Sequence, residues 1–145
     1  MQTLDKLFEE AARAHGIEAK DFSQPTIHFV TAGGLRYHYV DWGGSGVPVL
    51  FLHGGNQTAR TWDLVCVQLR DVYHCYALDQ RNHGESAMVP ENGATPFEQR
   101  EDIREVANAA RDILLRGERI DTEQPSGVRH ELHETDRPLV RARGG

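Results

Sequence analysis

The sequence predicts an α/β fold in which a partly parallel sheet is flanked by helices. Two short, nearly continuous apolar runs carry this prediction, Val49 to Leu52 and Val72 to Leu78. Both are too short for a core helix, and such runs are typical of strands buried on both faces of a parallel sheet. A short helical pattern that begins at Thr61 lies between them. Strand, helix and strand in this order form a βαβ unit, which implies parallel pairing.

The elements before this unit are predicted to be a helix and a hairpin. Thr3 is suited to cap a helix and Gly16 to end it, and between them apolar residues recur at helical spacing at Leu4, Leu7, Phe8, Ala11 and Ala12. Two runs rich in β-branched and aromatic residues follow, with a Gly-Gly pair at hairpin spacing between them; they are Thr26 to Thr31 and Leu35 to Trp42.

A glycine-rich segment at 43–46 connects this hairpin to the first apolar run, and we expect it to be flexible. The alternative, a phosphate-binding loop, fits poorly because the glycines precede a strand and not a helix. After the βαβ unit, Pro90 to Pro96 is predicted to be a loop, and Pro96 to Leu115 contains a periodic helix. The predicted organisation is a helix and linker at 1–25, a sheet domain at 26–115 and a disordered tail at 116–145.

Composition excludes several classes of protein. The chain has 145 residues and a net charge of −6, which argues against binding to nucleic acid or to an anionic membrane surface. No apolar run approaches the roughly 20 residues of a membrane span. Charged residues near the N-terminus are not expected in a secretory signal. Cys66 and Cys75 fall in segments predicted to be buried, so free thiols and a cytoplasmic location are expected, with a disulfide as the less favoured alternative.

Two motifs follow the two apolar runs. His53-Gly54-Gly55 ends the first run, and Asp79-x-Arg81-x-x-Gly84-x-Ser86 ends the second. Together with the hairpin before them, these motifs resemble the α/β-hydrolase superfamily over residues 26 to about 106. The Arg-Asn-His-Gly form of the second motif is similar to an esterase and thioesterase-like branch. The resemblance implies serine-dependent hydrolysis of ester, thioester or amide bonds in the full-length family, with a small acyl substrate as the partner.

The resemblance also implies roles for individual residues. The backbone N–H of Gly55 would stabilise the negative oxygen that forms during acyl transfer, although a simple turn glycine is the alternative. Asp79 and Arg81 would join the two loops by charge-assisted hydrogen bonds, and His83 would order its turn. The other residues of the two motifs would support the loops; these are His53, Gly54, Gly84 and Ser86. Two further residues, Asn56 and Trp62, would line the pocket.

The nucleophile expected from the resemblance cannot be found in the sequence. The superfamily places it in Gly-x-Ser-x-Gly, and this frame surrounds none of the serines, which are Ser23, Ser45, Ser86 and Ser126. The acid and the histidine of the triad cannot be assigned either. His130 and His133 have metal-like spacing, but a chance pair is expected among eight histidines, so neither a metal nor a cofactor is predicted.

We therefore expect the chain to carry the N-terminal half of such a domain, truncated before the nucleophile elbow by a frameshift, a splice change or a fragmentary gene, and to be catalytically inactive. The alternative is a non-catalytic interaction protein that uses the remaining loop edge. No nucleic-acid or membrane partner is expected. Val47 to His53 would be an exposed sheet edge, and self-association through that edge is the expected consequence.

Overall fold

The computed structural model describes residues 3–90 and 94–116, so the predicted tail lies outside the described residues from 117 onward. These described residues form three α-helices and four strands. In chain order these are α1 (Leu4–Ala14), β1 (Thr26–Ala32), β2 (Leu35–Gly43), β3 (Pro48–Leu52), α2 (Asp63–Leu69), β4 (His74–Leu78) and α3 (Pro96–Arg116). A 3₁₀ turn at Ala59–Trp62 leads directly into α2, so this helical segment starts slightly earlier than the sequence predicts.

The four strands form one mixed sheet in the order β1-β2-β4-β3. The predicted hairpin is present, since β1 and β2 pair in antiparallel fashion from Thr26 opposite Asp41 to Ala32 opposite Leu35. The predicted βαβ unit is also present, because β3 and β4 are parallel neighbours, while β2 and β4 are antiparallel. The α/β fold class is therefore confirmed, with helices flanking a partial sheet.

Alternation along β2 divides the core between the two faces of the sheet. Tyr37 and Tyr39 lie in one cluster with Leu78 and with Val106 of α3. Val40 and Trp42 lie in the other, whose further buried members are Ala12, Phe22, Ala59, Cys66, Val67, Cys75 and Ala77. Successive side chains of a strand point to opposite faces, and here both sets are covered.

The two cysteines are free and fully buried in the second of these clusters. Burial raises the pKa of Cys66 to about 12 and also raises the pKa of Cys75. A thiol with such a raised pKa stays protonated at neutral pH and is a poor nucleophile. The two cysteines therefore act as small apolar side chains of the core.

The N-terminal helix packs on the sheet. Thr3 caps α1 by accepting a hydrogen bond from the N–H of Lys6, as the sequence predicts. Phe8 lies 5.6 Å from Trp42 between ring centroids, and Ala12 is fully buried. Only part of the predicted apolar face is covered, however, because Leu4 and Leu7 are exposed.

Two sequence predictions about the segments around β3 need correction. Residues 49–52 are only partly buried, although Phe51 packs on one core cluster and Leu50 and Leu52 on the other, and β3 lies at an edge of the described sheet. The glycine segment before it is not a free linker. A Cβ atom at Gly44 or Gly46 would overlap the backbone of Tyr73 or Val72, so this segment lies directly on the turn before β4.

Among the described residues, no helix is both long enough and apolar enough to cross a bilayer.

Candidate functional site

The loops that follow β3 and β4 meet at the carboxyl ends of these strands, because parallel strands end on the same side of the sheet. Gln80 joins the two loops. Its backbone N–H donates to Nε2 of His53 at 3.1 Å, and its side-chain amide donates to the carbonyl oxygen of His53. The two motifs identified in the sequence are therefore in direct contact, through the bonds between Gln80 and His53.

The His53 ring has a structural role. Its Nδ1 donates to the carbonyl of Gly54 at 2.8 Å, while its Nε2 accepts from Gln80. These two bonds use both nitrogens of a neutral imidazole. The ring is buried, and the ring of His83 lies edge-on at 4.8 Å between centroids. His83 in turn donates from Nδ1 to the carbonyl of Arg81.

The turn after His53 presents a backbone donor. The N–H of Gly54 is held by the side-chain oxygen of Gln57 at 3.0 Å. Gly55 is exposed, and no group of the described residues accepts a hydrogen bond from its N–H. Asn56, which follows, adopts the left-handed conformation with φ of 59°. The turn thus leaves the Gly55 N–H available to an added acceptor at the sheet edge.

Asp79 connects the segment after β3 with the segment after β4. Its Oδ1 accepts from the N–H of Ala59 at 2.6 Å, and its Oδ2 accepts from Nδ1 of His38 at 2.7 Å and from the N–H of Glu85 at 3.0 Å. Burial by itself would raise the pKa of Asp79, but the hydrogen bonds from His38 and the two backbone groups outweigh it and lower the pKa below its ordinary value. The carboxylate is therefore a charged structural anchor.

Ser86 is held by backbone groups. Its Oγ accepts from the N–H of His38 at 2.8 Å and donates to the carbonyl oxygen of Asp79. Although Ser86, His38 and Asp79 are neighbours, the His38 ring bonds to Asp79 and not to the serine hydroxyl. The arrangement therefore lacks the serine-to-histidine bond that activates a nucleophile. Gly84 has φ of 52°, and a Cβ atom there would overlap the Asp79 carboxylate.

Arg81 and Trp62 contact groups outside the two strand-end loops. Arg81 forms a two-point ion pair with Asp102 of α3, and the hydrogen bonds of that pair raise its pKa above the ordinary value. This pair ties the second loop to a helix, a contact that differs from the loop-to-loop bond expected for Arg81. Trp62 packs on Phe51 at 5.2 Å between centroids, beside the core cluster that contains Trp42.

Sequence reasoning missed three residues of this region: His38, Gln80 and Asp102. Gln80 lies inside the second motif, so its place beside Asp79 was the one signal for it. His38 and Asp102 lie in a strand and a helix, where their neighbours predict only the element. The metal-like pair His130 and His133 and the fourth serine, Ser126, lie outside the described residues. Within the described residues no group of three metal-binding side chains occurs.

Comparison with known proteins gives relatives of several activities. An esterase of Mycobacterium tuberculosis is 40% identical over 72 residues, which are 50% of this chain and 23% of the esterase. The N-formylmaleamate deformylase of Pseudomonas putida is 36% identical over 62 residues, or 43% of this chain and 23% of that enzyme. The chain thus matches less than a quarter of the length of either relative. No family model matches the chain.

Similar solved structures are also found. One belongs to a study of epoxide hydrolases of the α/β-hydrolase superfamily from metagenomes of hot environments. It superimposes with a TM-score of 0.54 at 29% identity, over 58% of this chain and 29% of that protein. More than half of this chain therefore superimposes on less than a third of a larger known structure.

Proposed function

Because this chain is a member of the α/β-hydrolase superfamily and carries an N-terminal part of that fold, we propose that its strand-end loops belong to the oxyanion side of a hydrolase acting on acyl compounds. The single observation that carries the proposal is the exposed N–H of Gly55, which has no acceptor among the described residues. It lies beside loops fixed by Gln80 and Asp79. Fixed backbone donors of this kind stabilise the negative oxygen of an acyl-transfer transition state.

The residues around Gly55 support the proposal by making the turn rigid. His53 is hydrogen-bonded at both ring nitrogens, and Gly54 is held through Gln57. A donor that is fixed before the reaction costs no reorganisation when charge develops. Asn56 and Trp62 would line the pocket for the bound acyl group. His53, Gly54, Asp79, Arg81, His83, Gly84 and Ser86 would hold the loops and take no part in bond making.

We further propose that the 145-residue chain assayed alone does not hydrolyse esters. Its sequence contains no serine in the Gly-x-Ser-x-Gly frame, and the hydroxyl of Ser86 is bonded to backbone groups. Removing the triad of a complete serine hydrolase leaves a rate about 10³- to 10⁴-fold over water, from the oxyanion donors and binding. One donor of such a pair, acting alone, would give a smaller residual rate of hydrolysis.

A cytoplasmic location of the chain stays a prediction.

Two measurements test these statements separately. Purified chain should release p-nitrophenol from p-nitrophenyl acetate at the rate of buffer, and a fluorophosphonate probe should leave it unlabelled. Stoichiometric labelling of Ser86 or Ser126 would contradict the claim of inactivity. For the donor, methylphosphonate serves as an oxyanion mimic, and we expect it to shift the Gly55 amide resonance. Gly55→Pro should abolish anion binding, whereas Gly55→Ala, which keeps the N–H, should preserve it.

An interaction module is the second candidate, and the free edge of β3 favours it. Within the described residues β3 pairs with β4 alone, so its other side presents unpaired backbone groups. Such an edge accepts a strand from another chain. Saturable binding to a second copy or to an extended peptide, without any anion effect at Gly55, would favour this candidate over the hydrolase.

A further inference from the structure

A cavity of about 450 Å³ lies on the face of the sheet that α1 covers. Its apolar lining comes from Leu4, Pro25, Ile27 and Val40. Residues 53–55 do not line it, although Asp79 and Gly84 of the strand-end loops do. Two buried polar atoms without partners belong to residues that line it, and these atoms indicate what it could hold.

The first unpartnered atom is Nε2 of His38. The side chain of His38 is only 5% exposed, and its Nδ1 donates to the Asp79 carboxylate at 2.7 Å. A carboxylate only accepts, so in the neutral ring the proton is on Nδ1 and the lone pair is on Nε2. No hydrogen-bond partner for Nε2 occurs among the described residues, and Glu85 is 4.0 Å away. Leaving such an acceptor unpaired is costly.

The second unpartnered atom is Nε2 of Gln24. Its amide oxygen accepts from the Arg60 guanidinium at 3.4 Å. A guanidinium only donates, so the oxygen must face Arg60 and the amide nitrogen must point elsewhere. That nitrogen is buried and has no acceptor in the described part of the chain. The residues of the cavity therefore offer one unused acceptor, on His38, and one unused donor, on Gln24.

We propose that this cavity is a second binding site, for a small neutral molecule with an apolar body and a hydroxyl or similar group. The polar group donates to Nε2 of His38 and accepts from Nε2 of Gln24, and the body packs on the apolar lining. A carboxylate would meet the His38 lone pair and the charges of Asp79 and Glu85. An ammonium has no lone pair, so it would leave the Gln24 donor unused, and it would also face the guanidinium of Arg60. A neutral group that both donates and accepts fits both unused atoms.

Three probes with the same ring separate hydrogen bonding from simple apolar contact. Benzyl alcohol can donate and accept, benzyl methyl ether can only accept, and toluene can do neither. We expect amide shifts at Val40 and Thr58 on titration, with affinity falling in that order. Since each hydrogen bond contributes modestly, the alcohol should bind roughly fivefold more tightly than the ether. The Nε2 resonance of His38 should move upfield with the alcohol alone.

Variants identify the two polar groups. Gln24→Leu should reduce alcohol binding by roughly fivefold, and His38→Gln should remove the preference for alcohol over ether. Gln68→Leu, the same change at an exposed position of α2, should have no effect. Should His38→Gln fail to fold, the Gln24→Leu result decides. Equal binding of all three probes, no shifts at the cavity, or full binding by Gln24→Leu would overturn the proposal.

Discussion

Asp79 accepts hydrogen bonds from three separate parts of the chain, and this makes its charge important for stability. These bonds lower its pKa in the folded state in spite of burial. The pKa of Asp79 is lower in the folded chain than in the unfolded chain. Charged Asp79 therefore stabilises the fold at pH values above its pKa in the unfolded chain. This contribution is lost as the pH falls through the folded pKa.

Asp79→Asn is accordingly expected to lower the free energy of unfolding at neutral pH by at least about 2 kcal/mol, since bonds to a charged group are replaced. The loss of stability between neutral and acid pH should also become shallower than in the wild type. Urea unfolding across this pH range measures both effects. Asp71→Asn, at an exposed ion pair with Lys20, is the control and should change little. Parallel pH curves for wild type and Asp79→Asn would contradict the expectation.

The glycines of the two motifs should respond differently to the same substitution. Gly84 has φ of 52°, and an added methyl group would overlap Asp79, so Gly84→Ala should cost at least about 2 kcal/mol. Gly55 has open space around it and lies outside the left-handed region. Gly55→Ala should therefore stay within about 0.5 kcal/mol of the wild type. Urea denaturation compares them, and equal losses would show that Gly55 too is required by the fold.

At the level of elements, local patterns predicted the hairpin, the βαβ unit and the N-terminal helix with its Thr3 cap. Each of these depends on periodicity or on a turn signal within a few residues. The contacts that join elements were not predictable in this way. Gln80 meets His53 across 27 positions and Arg81 meets Asp102 across 21 positions. No local pattern encodes contacts between residues so far apart in the sequence. The sequence therefore predicted the two loops but not the residues that they contact.

The Arg81–Asp102 pair should be the principal polar link between the second loop and α3. Both residues are largely buried, so removing one charge takes from the other its two-point partner, at a cost of about 3–5 kcal/mol. We expect Asp102→Leu to show this loss, and Arg81→Met with Asp102→Leu to lose clearly less than the two single changes added together. A double-mutant cycle from urea melts gives the coupling.

An exposed ion pair on the same helix supplies the comparison. Arg104 contacts Glu101 at 2.6 Å, with the Arg104 side chain 64% exposed. Arg104→Met should change the free energy of unfolding by less than about 1 kcal/mol, as exposed pairs usually do. If the two pairs gave similar couplings, burial would not be what makes the Arg81 pair strong.

At the scale of the whole molecule, the two parallel strands of the sheet differ in how many neighbouring strands they have. β4 is enclosed between β2 and β3, whereas β3 has one paired side among the described residues. Val47, just before β3, is 70% exposed. An unprotected apolar edge is a template for pairing with a second chain, and a lysine at such an edge is the usual natural protection. We therefore expect the purified chain to self-associate with rising concentration.

Val47→Lys should reduce this association, because a charge beside the free edge opposes pairing with another strand. Leu50 is a poorer position for the same test, since it packs against the cluster of Tyr37, Tyr39 and Val106. Val72→Lys is the matched control: Val72 is 63% exposed but precedes β4, which is paired on both sides. Sedimentation velocity over a concentration series measures the outcome. A wild-type chain that stays monomeric throughout, or equal effects of both lysines, would show that the edge of β3 does not drive association.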